Sequence, residues 1–260
     1  MTRAKTVSAL FVGLVLAFLF TPVVVVVLFS FNAAASTSLP LEALSFRWYE
    51  AAFSNPLFRD ALRNSVYVAS ITALTVAVIG ANASFALTRR PSRLLNLFSS
   101  FVVTPLVVPG LFLGVALLVF YDRVDFRRSL TTVIIGHVLI TLPFVVLIVN
   151  ARLMRLDRSI EEAARDLGAT PFQAFRKIIF PLVRPALLGS ILIAVAWSFD
   201  EFIVTFFTIG GEITLPIMIW GMLRRGIDPS VNAIASVILV TTTLATVVAA
   251  RLLSARGFIP

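Results

Sequence analysis

Six stretches of apolar residues, each about as long as a bilayer core is thick, set the limits on what this chain can fold into. They run from about Val7 to Phe31, Leu62 to Leu87, Phe98 to Phe120, Leu130 to Asn150, Pro185 to Ile209 and Val231 to Leu252. They are continuous blocks, whereas a membrane barrel is built from short alternating segments, so helices are expected. Composition agrees: 59% of residues are hydrophobic and 13% charged, too little polar surface for a soluble chain of 260 residues. The expected fold is an all-α polytopic membrane protein with six transmembrane helices in a single membrane domain spanning residues 1–260. The first block follows Arg3 and Lys5, and Ala33-Ala34-Ala35 resembles a signal-peptidase site, but the block is longer than a signal-peptide core and reads as a retained helix.

The net charge of +9 lies in short connections between the blocks. Counting Lys and Arg along alternate connections gives fourteen on the side of both termini and eight on the other. The richer side is expected to be cytoplasmic. Loop arginines of this kind set topology and give no reason to expect nucleic acid. The chain has no cysteine, which removes disulfides and thiol chemistry, and no paired histidines to hold a metal. It also lacks a G-x-x-x-x-G-K-[ST] phosphate loop, so no ATP or other cofactor is expected on this chain. Pro22, Pro105, Pro109, Gly110 and Pro143 fall within apolar blocks, either as packing kinks or as breaks lining a path.

The connection over residues 151–184 is the most informative segment. Residues from Arg155 to Leu167 suit a helix, and Gly168 suits a left-handed stop. Thr170 can cap a second short helix, with Pro171 at its first position. Phe172 and Phe175 then lie three residues apart, on one face. That face either plugs a partner's groove or packs on the bundle's own helix ends.

This stretch resembles the E-A-A…G…I-x-L-P loop of permease subunits of binding-protein-dependent ABC importers. Glu162, Ala163, Ala164, Gly168, Ile178 and Pro181 match it, with Phe180 where leucine is usual. The resemblance implies a MetI-like core and a cytoplasmic coupling helix that docks in an ATPase subunit holding ATP and Mg. It also implies an extracytoplasmic substrate-binding protein, a second homologous permease subunit forming a heterodimer, and a bacterial inner-membrane location. Ser30-Phe31-Asn32, Phe46-Arg47-Trp48-Tyr49, Ser198-Phe199-Asp200-Glu201-Phe202, Leu215-Pro216-Ile217, Arg225-Gly226-Ile227-Asp228-Pro229 and Asn232-Ala233 are similar to the spermidine/putrescine branch.

Asp200 and Glu201 lie in the fifth block, where carboxylates are costly and face a cavity or a partner. On a continuous helix Trp197 shares a surface with both, and two carboxylates beside an indole suit an ammonium group. The alternative is that the acids pair with the partner permease or gate the path. The substrate remains open to other cationic, amino-acid-derived or opine-like solutes. An ion-coupled transporter relaying protons through His137, Asp200 and Glu201 would not need the docking loop. His137, Asn64 and Asn82 read best as hydrogen-bonding links between helices.

Overall fold

The computed structural model describes residues 2–35, 41–89, 92–225 and 229–255, with side chains left out at 2–4, 96 and 245–255. Gly226, Ile227 and Asp228 of the fifth matching motif lie outside the described residues, as do Arg90, Arg256 and the side chains of Arg3 and Arg251. In chain order the helices are α1 (Thr2–Ser30), α2 (Arg47–Ser54), α3 (Pro56–Arg89), α4 (Arg93–Val103), α5 (Gly110–Arg123) and α6 (Leu130–Met154). They continue with α7 (Ser159–Asp166), α8 (Pro171–Ala174), α9 (Phe180–Asp200), α10 (Ile203–Thr208), α11 (Leu215–Arg225) and α12 (Ser230–Ala255). Among the described residues there is no strand beyond an isolated bridge between Asn32 and Leu44.

Among the described residues, four helical segments are long and apolar enough to cross a membrane: Lys5–Ser30, Pro56–Arg89, Leu130–Met154 and Pro171–Asp200. The third block is not the straight span expected. A 3-10 turn at Thr104–Leu106 and the Pro109–Gly110 step separate α4 from α5, which meet at 107°. Pro105 and Pro109 donate no backbone hydrogen bond, so the ladder stops where they stand. The sixth block forms α12, whose described side chains end at Leu244.

The chain divides into two packing units. The first holds residues 1–59 and 218–252. Within it Asn32 organises the turn after α1. Its side-chain Oδ1 accepts from the N–H groups of Ala34 and Glu42, and its carbonyl accepts from the Trp48 indole at 2.7 Å. Tyr49 and Ser30 share a hydroxyl bond, and Phe31 packs edge-on to Phe46.

The second unit, built around residues 60–217, holds the central core. Val76 of α3, Val145 and Val149 of α6, and Val183 and Ala194 of α9 are fully or nearly buried in one cluster. Small residues let these helices approach. A Cβ on Gly136 would lie 2.7 Å from Val204 Cγ1, so only glycine fits where α6 meets α10. Polar groups close the remaining gaps: Ser84 donates to Gly80 and Val146 carbonyls, and Thr132 donates to the Thr208 carbonyl. Asn64 bonds across to the Ile213 carbonyl, which lies in the stretch before α11 rather than in a helix as expected. Asn82 does not; its amide donates to Val78 of its own helix.

Candidate coupling surface and transport site

The segment after α6 is more helical than a free loop. The expected helix over Arg155–Leu167 is shorter at its start, because α6 ends at Met154 and α7 begins at Ser159. Asp157 accepts the Ser159 N–H at 2.9 Å, and the Ser159 backbone and side chain hold its carboxyl below the usual carboxylate range. At the other end Gly168 adopts φ +85°. Its N–H bonds the Arg165 carbonyl at 2.9 Å and the Ala169 N–H bonds the Ala164 carbonyl at 3.0 Å. These two bonds form a Schellman stop that satisfies the last carbonyls of α7.

Thr170 and Pro171 restart the helix where the sequence places them. The Thr170 hydroxyl accepts the Gln173 N–H, and Gln173 Oε1 accepts the Thr170 N–H at 2.9 Å, a reciprocal capping box. The helix does not then end. A π turn over Phe175–Ile179 carries it into α9, so the fifth span starts at Pro171 rather than Pro185. The wider turn has a local cause. Pro181 has no N–H for the Lys177 carbonyl and its ring crowds that carbonyl, and a π turn relieves both.

The expected docking face of two phenylalanines splits. Phe172 is 68% exposed. Phe175 turns inward, packs edge-on against Phe85 of α3 at 5.3 Å, and joins the central core. Ile160 and Leu167 are exposed apolar residues as well, Leu167 at 89%. Between α7 and α8 lies an open groove of about 740 Å³ lined by Ile160, Ala163, Leu167, Gly168 and Ile178. Ala164 is buried beneath it, while Glu162 and Pro181 are exposed.

A set of contacts that the sequence reading missed straps α7 to the end of α3. Glu161, not Glu162, pairs with both Arg89 and Arg165. Arg158 donates to the Thr88 carbonyl at 3.0 Å. The i,i+4 spacing of Glu161 and Arg165 was the available signal.

The carboxylates of the fifth block stand differently from expectation. The helix ends at Asp200, and Glu201 is extended at φ −70°, ψ 113°. Its Oε1 accepts the Val204 N–H at 2.9 Å and caps the first turn of α10. Trp197, Asp200 and Glu201 therefore do not share one helical surface. Trp197 and Asp200 do, one turn apart. Asp200 is exposed and Trp197 is 45% exposed, its ring 4.8 Å from that of Phe144.

His137 spans the break beneath them. Its Nδ1 lies 2.7 Å from the Ser198 hydroxyl in α9, and its Nε2 lies 2.8 Å from the Thr205 hydroxyl in α10. Thr205 already donates its proton to the Glu201 carbonyl, so it accepts from His137 Nε2–H. Nδ1 is then the acceptor, and Ser198 donates to it. The single histidine links helices, as expected, and does so as a neutral ring with both nitrogens occupied.

An all-α bundle with a bent third span, a capped helical hairpin at one end and a broken fifth span defines a permease fold. The family model described as "Binding-protein-dependent transport system inner membrane component" matches residues 73–256, and the chain belongs to that family. It is 33% identical to the putrescine transport system permease protein PotI of Escherichia coli K12, over 85% of this chain and 82% of that one. It is 31% identical to the spermidine/putrescine transport system permease protein PotC of Haemophilus influenzae, over 95% and 96%. Among solved structures, a bacterial ABC transporter involved in import of the acidic polysaccharide alginate matches with a TM-score of 0.70 at 15% identity, covering 97% of this chain and 96% of that one. The chain is thus a multi-pass membrane protein, the permease component of an ABC importer.

Proposed function

We propose that this permease imports a polyamine of the putrescine or spermidine type. The observation that carries the reading is the likeness, over most of the chain, to permeases named for those two solutes. The structure supplies a fitting feature. Trp197 and Asp200 present an aromatic face and a carboxylate, without an ion pair among the described residues, on one side of α9. That combination suits an ammonium group through charge and cation–π attraction. Glu201 acts by holding α10 in place.

The power source is a separate ATPase subunit, where ATP and Mg bind. It docks on the α7–α8 surface formed by Phe172, Leu167 and Ile160, within the segment that carries Glu162, Ala163, Ala164, Gly168, Thr170, Pro171, Ile178 and Pro181. A second, homologous permease completes the path, six spans facing six, and an extracytoplasmic binding protein delivers the solute. Both termini and the α7–α8 hairpin then lie on the cytoplasmic side of the bacterial inner membrane, the side richer in Lys and Arg.

The test is uptake by the reconstituted transporter across a panel of putrescine, spermidine, basic amino acids and opine-like solutes. Asp200→Asn is expected to raise KM for the amine about tenfold, which corresponds to the roughly 1.5 kcal/mol that a hydrogen bond to a charged group contributes. An unchanged KM and rate for Asp200→Asn removes the carboxylate from the path. Preference for a neutral or anionic solute overturns the substrate assignment.

A further inference from the structure

At the end of the bundle that carries α7, a pocket of about 420 Å³ opens between α3, α4 and α6. Its polar lining comes from Thr88, Arg89, Arg158, Ser99 and Asn150. No carboxylate lines it. Three acids lie nearby, one of them Glu162, which lines the neighbouring pocket that Arg89 and Arg158 also line. Glu161 is engaged by Arg89 and Arg165, and Asp157 accepts the Ser159 N–H. Several donors converge there without partners among the described residues. Asn150 meets the Thr88 hydroxyl at 2.8 Å, and that hydroxyl also bonds the Ser84 carbonyl at 2.7 Å, so at least one Asn150 amide N–H stays free. The Arg158 guanidinium gives one nitrogen to the Thr88 carbonyl and keeps the rest. Arg89 Nε is buried with no hydrogen-bond partner. The opposite wall is apolar: Leu153 is buried and Met154, at the rim, is 71% exposed.

We propose that this pocket binds an anionic phospholipid, its phosphate held by Arg158, Asn150 and Ser99 and its glycerol and first acyl carbons laid along Leu153 and Met154. A guanidinium group with an amide and a hydroxyl suits a phosphate oxyanion. The apolar wall continues the membrane-spanning surface of α6, which favours a lipid over a soluble anion or an acidic protein segment. Basic pockets between helices at the membrane surface take anionic headgroups for the same reason. The site is also coupled to α7. Arg89 and Arg158 hold that helix to the end of α3, so a bound phosphate would fix Arg158 in the position that clamps it.

The test uses the chain purified with its partner subunits, placed in phosphatidylcholine nanodiscs with or without phosphatidylglycerol. Native mass spectrometry then counts the lipids retained. Wild type is expected to retain phosphatidylglycerol in preference to phosphatidylcholine, and hydrogen exchange over 159–166 is expected to slow when it does. Arg158→Gln should cut retention about fivefold, the factor expected for one basic side chain at an anionic surface. Ser99→Leu, which fills the pocket without removing a charge, should abolish it. Equal retention of the two lipids by wild type overturns the proposal, and so does unchanged retention in both variants. Displacement by inorganic phosphate without any lipid preference assigns the pocket to a free anion. Retention only when the partner subunits are stripped away assigns it to a protein contact.

Discussion

The contact most sensitive to a single change is the one His137 makes across the break in the fifth span. Replacing it with leucine keeps much of the volume and removes both ring nitrogens. Two buried hydrogen bonds are lost, to Ser198 and to Thr205, both of which are almost completely buried. The consequences for the two partners differ. Thr205 still donates to the Glu201 carbonyl and loses only a donor to its oxygen. Ser198 loses its acceptor and must turn to a carbonyl of its own helix. Hydrogen bonds contribute about 0.5–1.5 kcal/mol each in soluble proteins, and about 0.6 on average between membrane helices. His137→Leu should therefore cost about 1–3 kcal/mol. The assay is reversible unfolding of the purified chain in mixed micelles, with Ser198→Ala measured in both backgrounds. With that bond in place, Ser198→Ala costs less in the His137→Leu background than in wild type, by about 0.5–1 kcal/mol. An equal cost in both backgrounds refutes the network, whatever the total loss.

Two further substitutions test the hairpin. Gly168→Ala meets no atom within 4 Å, so its cost is conformational only: about 1 kcal/mol for a side chain at φ +85°, read as faster hydrogen exchange over 159–170 with the core unchanged. Unaltered exchange there would mean the Schellman stop tolerates a Cβ. Phe175→Ala should lower unfolding stability by about 2 kcal/mol, because it empties part of the contact with Phe85. Phe172→Ala should shift stability by less than about 0.5 kcal/mol yet weaken ATPase-driven uptake. Equal destabilisation by the two would show that both face the core.

The hairpin was legible in the sequence because its determinants are local. A glycine needing positive φ, a hydroxyl before a proline and a glutamine three residues on act within one turn, whatever surrounds them. The split between Phe172 and Phe175 was not legible, because i,i+3 spacing says the two are neighbours but not where the boundary between core and solvent falls. Tertiary contact with Phe85 decides that. The break at Glu201 was hidden for a related reason. No proline or glycine marks it, and the apolar run continues through Phe202 and Ile203. What ends the helix is Glu201 turning its carboxylate to the first turn of α10, a competition between backbone partners that hydropathy does not register. The bend in the third span was announced by Pro105 and Pro109, but its size was not, since a proline removes a constraint without fixing the new angle.

The capping box at Thr170 and the carboxylate of Asp200 sit at opposite ends of a single helical run, Pro171–Asp200, of 30 residues. At 1.5 Å per residue that is a strut of about 45 Å, and a tilt of roughly 10° pivoted at one end would sweep the other through about 8 Å. A push delivered at Pro171 thus reaches Trp197 and Asp200 without relay through any other element. The same strut also runs in reverse: whatever engages Asp200 leans on Phe172 at the far end.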